Sequence, residues 1–142
     1  MLNLKSLFAE LERVPLSIFQ FVFRLVVAEV FWSSGLSKID SWQITIVLFR
    51  DEYRVPFLSP ELAATLATAV ELSVPVFLVL GLATRLATLP LLGMTLVIQL
   101  FVFPESWPVH LMWAAMLGFI LTRGPGALSL DHWIARRVWA VA

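Results

Sequence analysis

Apolar residues fill four long runs along the chain, the first two separated by a long connection and the others by short polar turns. The first, Phe19 to Lys38 (FQFVFRLVVAEVFWSSGLSK), carries one arginine and one glutamate and closes on a glycine and a lysine. About 20 residues at about 1.5 Å each cover the roughly 30 Å of a bilayer's hydrocarbon, so this run is read as a membrane span. Pro15 suits the first turn of its helix, where a missing N–H breaks no bond, and Gly35 reads as its stop, which places span one from Pro15 to about Ser34. Ser59-Pro60-Glu61 has the chemistry of a helix start: a capping hydroxyl, a first-turn proline and an acid at the positive end of the helix dipole. Span two therefore runs from Pro60 to about Leu80. Gly81 to Arg85 makes a short turn, and span three follows to about Phe103, punctuated by Pro90 and Gly93. Pro104 to Pro108 is a second short turn, and span four ends near Thr122, before the Arg123-Gly124-Pro125-Gly126 stop.

The segments outside these runs are amphipathic. Leu4, Leu7, Phe8 and Leu11 recur at helical spacing before Val14, with Lys5, Glu10, Glu12 and Arg13 elsewhere on the wheel. Ile134, Val138 and Val141 oppose Asp131, Arg136 and Arg137 at the other end. Both read as helices lying on the membrane surface. Between Ser37 and Ser59, Trp42, Ile46 and Phe49 share one helical side ahead of the polar run Arg50 to Arg54, which suggests a half-buried piece over one mouth of the spans. Short second and third turns make neighbours of consecutive spans. The expected fold is a single domain over residues 1–142: an all-α membrane protein, an antiparallel four-transmembrane-helix bundle with interfacial amphipathic helices at both termini.

Composition agrees: 60% of the residues are hydrophobic and 14% charged, against about 45 to 50% and 25% in soluble domains. Ten basic residues balance ten acidic ones, so nothing marks a nucleic-acid binder. Cysteine is absent, which excludes thiol relays and thiolate metal sites run by this chain. Lys5, Glu10, Glu12 and Arg13 interrupt the start, where a cleavable signal would need an apolar core, so the first span is expected to act as its own insertion signal. Lys5, Arg13, Arg85, Arg123, Arg136 and Arg137 fall on one side of the membrane, and Lys38, Arg50 and Arg54 on the other. That imbalance puts both termini in the cytoplasm.

Polar residues inside the spans are the candidate chemistry. Counted inward from the expected span ends, Arg24 and Glu71 lie about 15 Å deep, and Glu29, Gln99 and His110 within about 8 Å of the outer face. Arg24 and Glu71 are expected to form a deep ion pair, aided by the small Ala64, Ala67 and Thr68 beside Glu71 and by a kink at Pro75. Such a pair can fix packing as readily as serve function. In the outer tier, Glu29 and His110 are the candidate proton carriers, with Gln99, Trp32, Trp107 and Lys38 as candidate contacts for a quinone head group. The tier also suits mixed nitrogen and oxygen ligation of a metal, while its tryptophans suit an ordinary interfacial belt. Arg24 and Glu29 stand about 140° apart on a helix, so either the arginine bends or two sites exist.

Certain strings are more specific together than singly. Phe31-Trp-Ser-Ser-Gly-Leu-Ser-Lys38 follows an arginine-bearing first span, Glu71 lies in a span ending Leu80-Gly-Leu-Ala-Thr-Arg85, and the chain closes with Gly124-Pro-Gly-Ala-Leu-Ser-Leu-Asp131. In their order and spacing these resemble the DoxX family of small four-span bacterial inner-membrane proteins. The resemblance implies importance for Arg24, Gly35, Lys38, Glu71, Gly81, Arg85, Gly124, Gly126, Ser129 and Asp131. It also implies an inner-membrane location and either of two roles. Some members resemble subunits that pass electrons to quinone, as in the thiosulfate:quinone oxidoreductases; others accompany redox-stress or metal-handling partners.

Two readings therefore compete. One is a quinone-binding subunit of a membrane oxidoreductase system, with a partner supplying electrons; the other is a non-catalytic anchor or assembly factor for a redox or metal-handling partner. Transport is weaker, since four spans leave little room for alternating access unless the chain forms a homo-oligomer. A ligand-sized cavity at Glu29, Gln99 and His110 favours the first, and a tightly packed interior the second. Whether haem or a metal is bound is left open by the residues.

Overall fold

The computed structural model describes residues 4–139, apart from the side chains of Lys5 and Trp139. Every regular element among the described residues is helical: α1 (Leu4–Leu11), α2 (Leu16–Asp40), α3 (Trp42–Leu48), α4 (Pro60–Leu80), α5 (Thr84–Val97), α6 (Trp107–Arg123) and α7 (Leu130–Trp139). Two π-helical turns, Phe49–Tyr53 and Ile98–Val102, extend α3 and α5, and a 3₁₀ turn, Pro104–Ser106, leads into α6. Among the described residues three helices are long and apolar enough to cross a membrane: Leu16–Asp40, Pro60–Leu80 and Thr84–Val102. The 17-residue α6 packs against α5 and α2, and α4 joins α2 to α5. Val27, Ala28, Phe31, Leu78, Leu91 and Leu117, drawn from these four helices, form the main core. The expected surface helices extend into residues 1–3 and 140–142, Val141 included, which lie outside the described residues.

The start of α4 follows its sequence chemistry, with Leu62 N–H donating to the Ser59 hydroxyl at 3.2 Å. Its end is equally local: Gly81 adopts φ +67°, and the N–H groups of Gly81 and Leu82 close back on the carbonyls of Leu78 and Phe77. Gly35, by contrast, does not end the first span, and α2 runs on to Asp40. Backbone in hydrocarbon has no water to bond, so a helix continues through a glycine at a cost of about 1 kcal/mol. The missing side chain serves packing instead. A Cβ at Gly35 would fall 2.8 Å from Leu72 Cδ2 and 3.0 Å from Glu71 Cβ, so the glycine sets how closely α2 and α4 approach and in what register.

That register moves the polar groups from their expected depths. With α2 ending at Asp40, Glu29 stands about 16 Å along the helix from that end, not near it as expected. Arg24 meets the last turn of α4 beside Gly81, at the opposite end of the helix from Ser59.

Trp42 and Ile46 of α3, with Phe49 and Tyr53 of the π turn after it, pack with Ala63, Ala64 and Ala67 of α4 as a second apolar cluster. The segment between α2 and α4 thus lays its apolar side on α4, as its amphipathic pattern implies.

Candidate functional site

The expected Arg24–Glu71 pair does not form. Fully buried Arg24 donates from Nε to Leu78 O (2.8 Å), from Nη2 to Val79 O (3.1 Å), and from Nη1 to Pro125 O (2.7 Å) and Leu128 O (2.9 Å). Because Gly35 is the residue opposite Glu71, Arg24 lies eleven positions, or about 16 Å of helix, from that carboxylate's level. The arginine instead ties the end of α4 to the loop that follows α6. Its neighbours complete that tie. Gln20 Nε2 donates to the carbonyls of Arg123 and Gly124, and Asp131 accepts from Ala83 N, Thr84 N and the Thr84 hydroxyl at 2.7 to 2.8 Å. Asp131 caps α5 and holds Ala83 at φ +46°. Gly126 is required there, since a Cβ would come within 2.5 Å of Gln20 Oε1. Arg24, Gly81, Gly126, Ser129 and Asp131 are therefore a structural lock at one end of the helices.

Glu71 pairs with Lys38. The Lys38 ammonium lies 2.8 Å from both carboxylate oxygens, and it also donates to Ser34 Oγ at 2.8 Å. Ser34 in turn donates to Glu71 Oε1 at 3.1 Å. Glu71 Oε2 is fully buried and receives no aligned hydrogen bond. Ser34 and Lys38 are one turn apart on α2 and share a face, so the serine steers the lysine toward the acid.

This ion pair lies in the wall of a cavity of about 410 Å³ between α2, α4, α5 and α6. Tyr53, Gly93, Phe103, His110 and Trp113 line it too, and otherwise its walls are mostly aliphatic. Leu58, Leu66 and Phe103 belong both to the lining and to the exposed surface, so the cavity reaches the outside between α4 and the π turn that ends α5. A volume of this size with a few convergent polar groups is the usual form of a small-molecule site. Burial, reinforced by the Glu52 and Glu71 carboxylates, holds the Tyr53 hydroxyl above its ordinary titration range, so Tyr53 keeps its proton.

The outer tier expected from the sequence is only partly assembled. His110 is buried, lines the cavity, and brings Nδ1 to 2.7 Å from Gln99 Oε1. The π turn at Ile98–Val102 aims Gln99, whose Nε2 donates to Pro104 O at 2.9 Å. Glu29 is elsewhere: it is exposed in a separate groove with Leu25, Trp32, Pro75 and Val79. Trp32 goes with it, and Trp107 is 59% exposed and is not among the cavity's lining residues. Lys38 does face the cavity. The reason is rotational, since α2 buries Gln20, Arg24, Val27, Ala28, Phe31 and Gly35 on one stripe and Glu29 falls off it. Sequence reasoning missed Ser34 and Tyr53 at the site and assigned Glu71 to the wrong partner. Among the described residues no three His, Asp or Glu side chains converge as metal ligands.

The DoxX family model matches residues 19–104. The match takes in the Lys38–Glu71 pair and the π turn with Gln99, and stops short of His110. No curated protein and no solved structure matches the chain.

Proposed function

Since the chain belongs to the DoxX family of membrane proteins, we propose that it is the quinone-binding component of a membrane-associated oxidoreductase system. The observation that carries this reading is the cavity of about 410 Å³, apolar except for Lys38, Glu71, Ser34, Tyr53 and His110, and open toward lipid-facing leucines. An isoprenoid quinone needs that combination: a route in from the bilayer, flat apolar walls for the ring, and polar groups at its two oxygens. The residues fit the group. Trp113, whose ring lies 5.1 Å from that of His110, gives an aromatic wall, and the Tyr53 hydroxyl, which also lines the cavity, gives a donor for a ring carbonyl. Bound quinone would supply two-electron chemistry, with electrons from a redox partner protein; the chain's own part is to hold the head group and exclude water. The same reading has α2, α4, α5 and α6 as four antiparallel spans in the bacterial inner membrane, with both termini cytoplasmic.

The test is direct titration of the purified protein in lipid nanodiscs with a decyl-substituted benzoquinone, followed by tryptophan fluorescence. Gly93 lines the cavity, and a Cβ there meets no atom within 4 Å, so Gly93→Leu should fill space without disturbing the helix. The parent should bind, and Gly93→Leu should weaken binding at least tenfold, about 1.4 kcal/mol. Glu29→Gln, outside the cavity, should bind like the parent. A parent that does not bind the compound would leave the non-catalytic anchor as the better reading.

A further inference from the structure

From the donors and acceptors of the cavity we infer that the site is built for a head group that donates hydrogen bonds, so that it holds the dihydroxy, reduced form of its ring in preference to the quinone. This rests on the quinone reading and specifies which form of the ligand the site selects.

The argument is an inventory of what remains uncommitted. The Lys38 ammonium, the strongest donor in the wall, lies 2.8 Å from Ser34 Oγ and from each Glu71 oxygen, so its three N–H groups are taken up. The Ser34 hydroxyl donates to Glu71 Oε1. Neither is free for a quinone carbonyl without breaking the ion pair. Glu71 Oε2, in contrast, is buried and keeps lone pairs to spare, since its one close neighbour among the donors is the Lys38 ammonium, at 2.8 Å and poorly aligned. A carboxylate held in an ion pair is acceptor-only, so only a donor can complete it.

His110 adds a second acceptor, and the chain of bonds behind it fixes which nitrogen that is. Gln99 Nε2 donates to Pro104 O, which leaves Gln99 Oε1 as an acceptor facing the imidazole. The 2.7 Å contact therefore requires the proton on His110 Nδ1. In the neutral form the lone pair then lies on Nε2, on a ring that lines the cavity. Gln99 is a positioning residue: it acts on the ligand only by setting the imidazole tautomer. The Tyr53 hydroxyl both donates and accepts and selects neither form.

Two acceptors waiting in an apolar chamber favour a ligand with two O–H donors. A quinone, which offers only carbonyl acceptors, brings no hydrogen bond to Glu71 Oε2 and meets the His110 lone pair with its own. Leaving buried polar groups unpaired is the strongest form of discrimination between analogues.

The experiment compares the decyl-substituted benzoquinone with the hydroquinone made from it, each titrated anaerobically into the parent in nanodiscs at neutral pH. The hydroquinone should bind at least tenfold more tightly, which is equivalent to raising the bound couple's midpoint by about 30 mV. Gln99→Leu leaves the imidazole in place but frees its tautomer, and should shrink the preference severalfold while quinone affinity holds or rises. His110→Phe should shrink it as well without touching the Lys38–Glu71 pair. Equal affinities, or tighter binding of the quinone, would overturn the inference and leave the cavity as a quinone site. Binding of neither compound overturns both.

Discussion

Replacing Arg24 with methionine should destabilise the protein by about 3 kcal/mol or more, and should free the segment after α6 before the rest of the fold responds. Three carbonyls lose their donor at once, Val79 at the end of α4 and Pro125 and Leu128 in the loop, while Leu78 O keeps only its 3.2 Å bond from Gly81 N–H. The last carbonyls of a helix have no partner of their own, and each polar group left unpaired in a buried place costs about 1 to 3 kcal/mol. Against this stands the insertion cost of the arginine itself, about 2.5 to 3.5 kcal/mol, which methionine removes. The net loss stays large because the guanidinium spreads its donors over two segments, and the Asp131 bonds to Gly81, Ala83 and Thr84 that also join them do not reach the carbonyls it leaves. Lysine cannot repeat this with one ammonium, so Arg24→Lys should recover less than half of the loss. Thermal unfolding in detergent gives the magnitude, and trypsin sensitivity at Arg123 reports the loop. A methionine variant as stable as the parent, with Arg123 no faster to cut, would show that the carbonyl contacts contribute little.

Much of this was open to the sequence where the signal was local. The start of α4 at Ser59-Pro60-Glu61 and its stop at Gly81 depend on capping and a left-handed glycine, chemistry contained within a few residues. Gly35 misled because a glycine between a polar serine pair and a lysine looks the same whether it ends a helix or admits a neighbouring one. The misplaced stop then shifted every depth counted from it, which is how Glu29 was expected beside His110 and Arg24 beside Glu71. The helical wheel of α2 held better information than the depth count. Arg24, Ala28, Phe31, Gly35 and Lys38 recur along one stripe, and the 140° between Arg24 and Glu29 had already set the glutamate apart. Read to Lys38, that stripe puts the lysine on the face that meets α4. Two further features had no sequence signal: the π turn that aims Gln99 at His110 and the one that brings Tyr53 over Ala63 and Ala67 arise from helix packing, which no local propensity records. The family match reaches only to residue 104, so it gave no guide to His110 either.

The Lys38–Glu71 pair carries the second large effect. Removing one partner, as in Lys38→Met or Glu71→Leu, should cost about 3 to 5 kcal/mol, because each change strands a charge beside the apolar cavity. Glu71 is 2% exposed and Lys38 16%, so water can do little to relieve either. The double variant should be more stable than the sum of the singles allows, since two apolar side chains of similar size fill the same space without a stranded charge. A double-mutant cycle on thermal unfolding should therefore give a coupling of about 2 kcal/mol or more. Binding separates the pair's two tasks. The double variant should fold yet lose the preference for the hydroquinone, because it lacks the Glu71 oxygen that only a donor can complete, while its affinity for the quinone changes little. Additive losses in stability would mean that Lys38 and Glu71 act independently. A preserved hydroquinone preference in the folded double variant would move the selecting group from Glu71 to His110 alone.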